Sequence, residues 1–240
     1  MVQFLSKISF QSDLAEITGL EAKHVKSAFR MKVGDSIRVF DGEGQVAKGQ
    51  VSNMQKDMIQ VTAIKPISMP VSPLQVDLAQ SLLPHDRMDE IVLKATELGV
   101  ARIIPCLTKR SIVKLDKQKF DSKIERWKKI VLAGCKQCDR AILPKVEPIH
   151  SVPDLIKTFD AYDSILYAHP TPDNARELPK LKNKGKCLIL IGPEGGFSEG
   201  EVDIFKQASA HGISLGPTIL RSETAAQYLL SAFRYEYGIH

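Results

Sequence analysis

Residues 192–196, Gly192-Pro193-Glu194-Gly195-Gly196, join an apolar run, Leu188 to Ile191, to a helix-start signature, with a carboxylate at the centre of the turn. Glycine permits φ > 0 and lacks a Cβ, so such a turn can bring backbone close to a ligand. Phosphate is the usual ligand where a glycine-rich loop opens a helix. Here no Gly-Lys-Ser/Thr follows, the spacing does not fit Gly-x-Gly-x-x-Gly, and Glu194 would repel an anion. A neutral or cationic ligand suits the loop better. A plain strand-to-helix connection, with Pro193 fixing its own φ, accounts for the same residues.

A second stretch able to do chemistry runs from Leu215 to Glu223, "LGPTILRSE". Arg221 offers a planar, permanently charged donor fork, suited to charge developing on an acceptor edge. It could equally contact a phosphate or pair with Glu223. Glu194 and Glu223 can each accept a proton or simply fix a loop, and no histidine partner is evident for either. His169, beside Pro170 at a strand end, reads as a satisfied loop histidine rather than a base. Of Cys106, Cys135, Cys138 and Cys187 only the middle two are close, and no second Cys/His pair at zinc spacing accompanies them. Their CxxC closes a helical pattern, so reduced thiols and no metal are expected.

Charge adds a partner class. Between Lys109 and Lys145 lie 12 Lys/Arg and 4 Asp/Glu, a local +8 within a chain of net +5, which leaves −3 elsewhere. That concentration, which includes Lys128, favours a polyanion, although an ordinary basic surface would look similar. "MVQFLSKISF" lacks the apolar run of a signal peptide and no stretch approaches a membrane span, which points to a soluble cytoplasmic protein.

These residues need elements to position them. "QFLSKISF", "SIRVFDGEG", "QVAKGQVSNM" and "MIQVTAIKP" read as short strands, with a hairpin turn at Asp41-Gly42-Glu43-Gly44 and one helical interruption, "GLEAKHVKSAFR". The pattern predicts a small β-barrel, followed by a proline-spaced linker over 65–75. From Leu74 strands and helices alternate: "LQVDLAQSLL", "ARIIPCLT", "YDSILYAHP" and "KCLILIGP" as strands, residues 87–98 and 121–137 as helices. Met88, Ile91, Val92, Ala95 and Leu98 share one face of the first helix, and Gly99 stops it. Ser198 with Glu201 forms a capping box for a helix over 198–211, ended by Gly212. "ISLGPTIL" is expected to be extended. Ser222 is placed to cap a last helix with Ala226, Leu230, Phe233 and Tyr237 on its apolar face. Such alternation predicts an α/β fold, a largely parallel sheet with helices on both faces.

"ELGVARIIPCLTKRS", "IGPEGGFSEGEV" and "LGPTILRSETAAQYLL" closely resemble, in order and spacing, the 16S ribosomal RNA (uracil-N3) methyltransferase family of knotted SPOUT enzymes. "KHVKSAFRMKVGD" and "VFDGEG" are similar to that family's N-terminal PUA-like barrel. The resemblance implies a PUA-like RNA-binding barrel over 1–70 and a SPOUT methyltransferase domain with a deep trefoil knot over 73–240. It implies S-adenosylmethionine held among three loops: Tyr167, Ala168 and His169; Ile191, Gly192, Pro193, Glu194, Gly195 and Gly196; Leu215, Gly216, Ile219 and Leu220. The glycines of the middle loop would let backbone approach this sulfonium, a ligand consistent with a loop that lacks a phosphate-binding lysine.

The resemblance also implies uridine N3 of 16S rRNA as acceptor, free or in the 30S subunit. Arg221 would then stabilise the O2/O4 edge and Glu194 or Glu223 would accept the proton. His24, Arg30, Arg110, Gln137 and Arg140 would meet RNA. A homodimer is expected as well, from the wide apolar stripe Ala225, Ala226, Leu229, Leu230, Phe233 and Tyr237 and from SPOUT practice. The chain departs from the family pattern at "MVQFLSK", where an early arginine is expected, at Pro84-His85, and at "CKQCDR". A non-catalytic ribosome-assembly factor, a SPOUT enzyme acting on tRNA and, more remotely, a nucleotide-phosphate enzyme are the rival readings. Binding of S-adenosylmethionine but not ATP separates the SPOUT enzyme readings from the others.

Overall fold

The computed structural model describes residues 2–70, 72, 74–84, 86–112, 120–170, 178 and 185–238. His85 of the Pro84-His85 departure and residues 113–119 of the basic stretch lie outside these. The chain divides into two units, residues 1–70 with 135–143, and residues 71–134 with 144–240.

The first unit is built on β1 (Gln3–Leu5), β2 (Lys7–Ser9), β3 (Leu14–Thr18), β4 (Ser36–Phe40), β5 (Val46–Gln55) and β6 (Met58–Pro66). They form one sheet in the order β1-β4-β5-β6-β3-β2, curled as a half-barrel with β1 and β2 at the ends of its ladder. Alternating residues supply the core, Phe4, Ile17, Ile37, Val39 and Val61 among them, and α1 (Gly19–Ser27) adds Ala22 and Val25. The hairpin turn falls where the sequence places it: Asp41 Oδ1 accepts the N–H groups of Glu43 and Gln45 at 2.8 and 2.9 Å. Gly42 and Gly44 take φ of +83° and +120° there, angles open chiefly to glycine.

Gln3 occupies the region where an arginine was expected. It is fully buried, and its amide donates to the carbonyls of Cys135 at 3.1 Å and Arg140 at 2.7 Å. The side chain therefore anchors "CKQCDR" within this unit.

The second unit carries β7 (Leu74–Ser81), α2 (Arg87–Glu97), β8 (Arg102–Leu107), α3 (Phe120–Gln137), β9 (Lys145–Val146), β10 (His150–Ser151) and α4 (Val152–Ile156). It continues with β11 (Ser164–Ala168), β12 (Gly185–Ile191), α5 (Glu199–Gln207), β13 (His211–Ile213) and α6 (Ser222–Tyr237). Residues of α3 from Cys135 onward count with the first unit. The sheet order is β10-β8-β7-β12-β11-β13, with β9 beside β8, and every pairing is parallel. Leu188 and Leu190 pack with Phe159, Val202 and Phe205 on one face. Period-two alternation sends Ile189 and Ile191, with Leu78 and Gln80, to the other face, where α6 lies on β7 and β12.

Two boundaries differ from the sequence reading. The capping box forms as expected: Ser198 Oγ accepts Glu201 N–H and Glu201 Oε2 accepts Ser198 N–H. The helix, however, stops at Gln207, four residues before the predicted end. Ser209 turns to φ +60° so that His211–Ile213 can lie beside β11, and Gly212 becomes a strand residue. Sheet pairing overrides the glycine stop. Of "ISLGPTIL" only Ile213 is strand; the rest is loop. The apolar stripe of α6 is also used differently. Ala225, Ala226, Leu229, Leu230 and Phe233 are buried within the chain, covered by α2 and the sheet, so they offer no surface to a second copy.

Candidate active site

A cleft of about 400 Å³ opens at the carboxyl ends of β11 and β12 and beside the loop after β13. Its walls are the three stretches singled out in the sequence: Ala168 to Pro170, Ile191 to Gly196, and Leu215-Gly216 with Thr218 to Ser222, closed by Ala225 of α6. Strand ends are where open parallel sheets bind ligands. The volume lies in the range of small-molecule sites. Tyr167 is the exception among the expected residues. It closes a strand, and its side chain turns inward to stack on Phe205 at 5.6 Å.

The three loop glycines serve different ends. A Cβ on Gly192 would sit 3.2 Å from Phe197 N and 3.3 Å from Gly196 C, so this residue lets the turn fold on itself. Gly196 takes φ +67°. At Gly195 a Cβ would meet Arg110, 3.5 Å from its Cδ. Arg110 is thereby accounted for in part: its Nη1 donates to the carbonyls of Gly195 at 2.8 Å and Phe197 at 3.2 Å. One residue earlier, Lys109 N–H donates to Glu201 Oε1 at 2.7 Å. The segment after β8 thus holds the glycine loop through Arg110 and the helix that follows it through Lys109.

From the other side the loop is held by Ser222. Expected to be the N-cap of α6, Ser222 is instead the first helical residue, and Arg221 takes the cap position with extended backbone. The Ser222 hydroxyl donates to Gly192 O at 2.5 Å and accepts from Gln80 Nε2 at 2.9 Å. Gln80 and Ser222 are both buried. Neither contact is legible from spacing, since 142 and 30 residues separate the partners.

Arg221 lines the cleft and is exposed, and among the described residues it pairs with no carboxylate. The ion pair with Glu223 considered from the sequence is absent. Glu223 is buried in the first turn of α6, its Oε2 without a hydrogen-bond partner among the described residues, and it does not line the cleft. Glu194 does, at the lip, where Arg87 Nη1 donates to its Oε1 at 2.7 Å. Arg87, at the start of α2, is a contact the sequence did not announce. His169 is held below its ordinary pKa by burial first, then by the positive charges of Lys206 and Arg110. It therefore presents a neutral ring to the cleft at neutral pH.

The remaining candidates fall in both units. In the first, His24 Nδ1 lies 3.2 Å from Lys136 Nζ, and its ring meets Phe29 edge-on at 5.3 Å. Gln137 is exposed, and Arg140 sits in the segment anchored by Gln3. Arg30 is exposed with φ +50°. In the second, Lys128 is exposed on α3 and paired with Glu125 at 2.7 Å. No group of His, Cys, Asp and Glu that could hold a metal occurs among the described residues, and no helix there is long and apolar enough to cross a membrane. The four cysteines are free thiols, and burial pushes Cys106, Cys135 and Cys187 up to about 12.

The RNA methyltransferase domain model matches residues 70–234 and the RNA methyltransferase PUA domain model residues 17–64. The chain belongs to this RNA methyltransferase family. It is 34% identical to the ribosomal RNA small subunit methyltransferase E of Bacillus subtilis, over 92% of this chain and 89% of that one. It is 30% identical to the protein of the same name from Rickettsia conorii, with 92% and 91% covered. Among solved structures, the ribosomal RNA small subunit methyltransferase E of Neisseria gonorrhoeae bound to S-adenosyl methionine superposes with a TM-score of 0.85 at 26% identity, covering 99% and 98% of the two chains.

Proposed function

We propose that this chain transfers a methyl group from S-adenosylmethionine to N3 of a uridine in 16S rRNA, in the cytoplasm. The observation that carries the reading is the three-loop cleft. It has no lysine in its glycine loop, a neutral His169, apolar Ile191, Leu215 and Leu220, and Arg221 at its rim. These features fit an uncharged adenosine and a sulfonium, and they do not fit a triphosphate. When bound, the cofactor supplies an electrophilic methyl group on positively charged sulfur.

The chain's own contribution is positional and electrostatic. Backbone groups of Ile191 to Gly196 and Leu215 to Leu220 meet the adenosine. Arg221 points its donor fork at the uracil O2/O4 edge and stabilises charge that develops as N3 loses its proton. Glu194, which reaches the cleft, suits the part of proton acceptor better than Glu223, which is buried beside it. The half-barrel, with His24, Arg30, Gln137 and Arg140, holds the RNA, and basic residues such as Lys128 contact its phosphates. In the 73–240 domain the C-terminal chain threads a loop as a trefoil knot.

A homodimer remains part of the reading, on a different surface. Tyr228 and Tyr235, exposed at 54% and 91%, follow Arg221 along one side of α6, and Ile219, exposed at 86%, lies in the loop before it. Static light scattering at micromolar concentration checks this, and a monomer refutes it. The activity itself is tested by incubating the purified protein with S-adenosylmethionine and 30S subunits, or free 16S rRNA, from cells lacking the gene. Mass mapping should locate one new N3-methyluridine; methylation of tRNA alone, or of nothing, overturns the proposal.

A further inference from the structure

We infer that Gln80 and Ser222 are positioning residues that fix Arg221 for methyl transfer, an inference that rests on the reading of Arg221 given above. A serine hydroxyl has one proton to give. Ser222 gives it to Gly192 O at 2.5 Å, so its oxygen can only accept from Gln80 Nε2 at 2.9 Å. The amide also donates to Ser81 O at 3.1 Å, which fixes which way Gln80 points. Three elements, β7, the loop after β12 and the start of α6, thus meet at one buried hydroxyl.

Two features mark this as more than packing. Gln80 lies on the sheet face that otherwise presents Val76 and Leu78, and its Oε1 is buried without a partner among the described residues. An apolar residue there would strand no acceptor; what the amide adds is a donor aimed at Ser222. Arg221, for its part, makes no side-chain cap bond and pairs with no carboxylate among the described residues. Its place is therefore set by its backbone, and that backbone is pinned one residue on, at Ser222. The same hydroxyl pins Gly192. Guanidinium and glycine loop are registered to one another through a single atom.

The test is single-turnover transfer to unmethylated 30S subunits at saturating S-adenosylmethionine, with cofactor affinity by calorimetry and the melting temperature measured alongside. Arg221→Ala should lower the rate about a hundredfold. Ser222→Ala should lower it by about tenfold to a hundredfold, the loss expected of an ångström-scale displacement. The double variant should be no slower than Arg221→Ala, and Ser222→Thr should recover most of the rate. Gln80→Met removes the donor and the stranded acceptor together. It should slow transfer severalfold while leaving the melting temperature unchanged or raised, whereas a merely structural role would lower both. A wild-type rate in Arg221→Ala overturns the reading of Arg221 and this inference with it. A wild-type rate in Ser222→Ala or Gln80→Met, or losses that multiply in the double variant, overturns the positioning role alone.

Discussion

Replacing Gly192 and Gly195 by alanine, one at a time, tests whether the glycine loop is built around a ligand or around itself. Both residues flank Pro193-Glu194 in the same turn, and sequence alone makes both look like points of close approach to a ligand. Their surroundings differ. The new methyl at Gly192 would press on three backbone atoms, Phe197 N at 3.2 Å and Gly196 C and Cα at 3.3 and 3.4 Å. Backbone cannot rotate aside as a side chain does, so the turn must open by a few tenths of an ångström. The methyl at Gly195 would rest on the flexible stem of Arg110 at 3.5 and 3.6 Å, an ordinary contact.

Overpacking in a tight site costs about 1–3 kcal/mol. If cofactor binding must close the turn again, Gly192→Ala should weaken S-adenosylmethionine binding by roughly fivefold to a hundredfold, at about 1.4 kcal/mol per decade. Gly195→Ala should stay within about twofold, since no comparable overpacking arises there. Titration calorimetry on the two variants, each checked for a cooperative melt, reads the difference. Equal losses at both positions would refute the reasoning, because they would mean that the missing Cβ of Gly195 faces the ligand after all.

Three further outcomes follow from contacts already described. Arg110→Ala should weaken cofactor binding severalfold and lower stability by about 1 kcal/mol, the net worth of a partly exposed hydrogen bond. The salt dependence of its RNA binding should stay unchanged, and a flattened slope would return Arg110 to the RNA surface. Lys128→Ala should flatten that slope by about one unit and leave the rate at saturating RNA unaltered; a lost saturating rate would refute a phosphate-only role. His169 is held below its ordinary value of 6.5, so as pH falls through 6.5 toward the folded pKa the unfolded chain takes up a proton that the folded chain resists. Stability is full above that window and falls within it; His169→Asn should remove that portion of the pH dependence, which melts between pH 7 and 5 would reveal.

What was legible in the chain follows from which forces are local. The burial of Met88, Ile91, Val92 and Ala95 repeats the helical period, and the Ser198–Glu201 box is written within four residues. The loops are legible because Gly192, Gly196 and Gly216 meet backbone demands, φ of +67° and +119° at the last two, that few other residues satisfy. Periodicity states that a face is buried without naming its cover. The stripe on α6 therefore reads equally as a surface for a second copy, whereas α2 and the sheet cover it. The helix at 199–207 ended early for a like reason: the partner that claimed His211–Ile213 is β11, more than forty residues away.

Tyr167, Gly195 and Ser222 share a feature that reaches further. Each lies in a stretch that the sequence singles out, and each has its side chain, or the place of one, against another protein group: Phe205, Arg110 and Gln80. For Tyr167 the cause is strand alternation, which sends neighbouring side chains to opposite faces of the sheet; for Gly195 and Ser222 it is the turn and the helix start in which they lie. Side-chain identity in such loops reports chiefly what holds them in place. Arg110, Ser222 and Gln80 hold this one, and Arg221 lines the cleft exposed and, among the described residues, without a carboxylate partner.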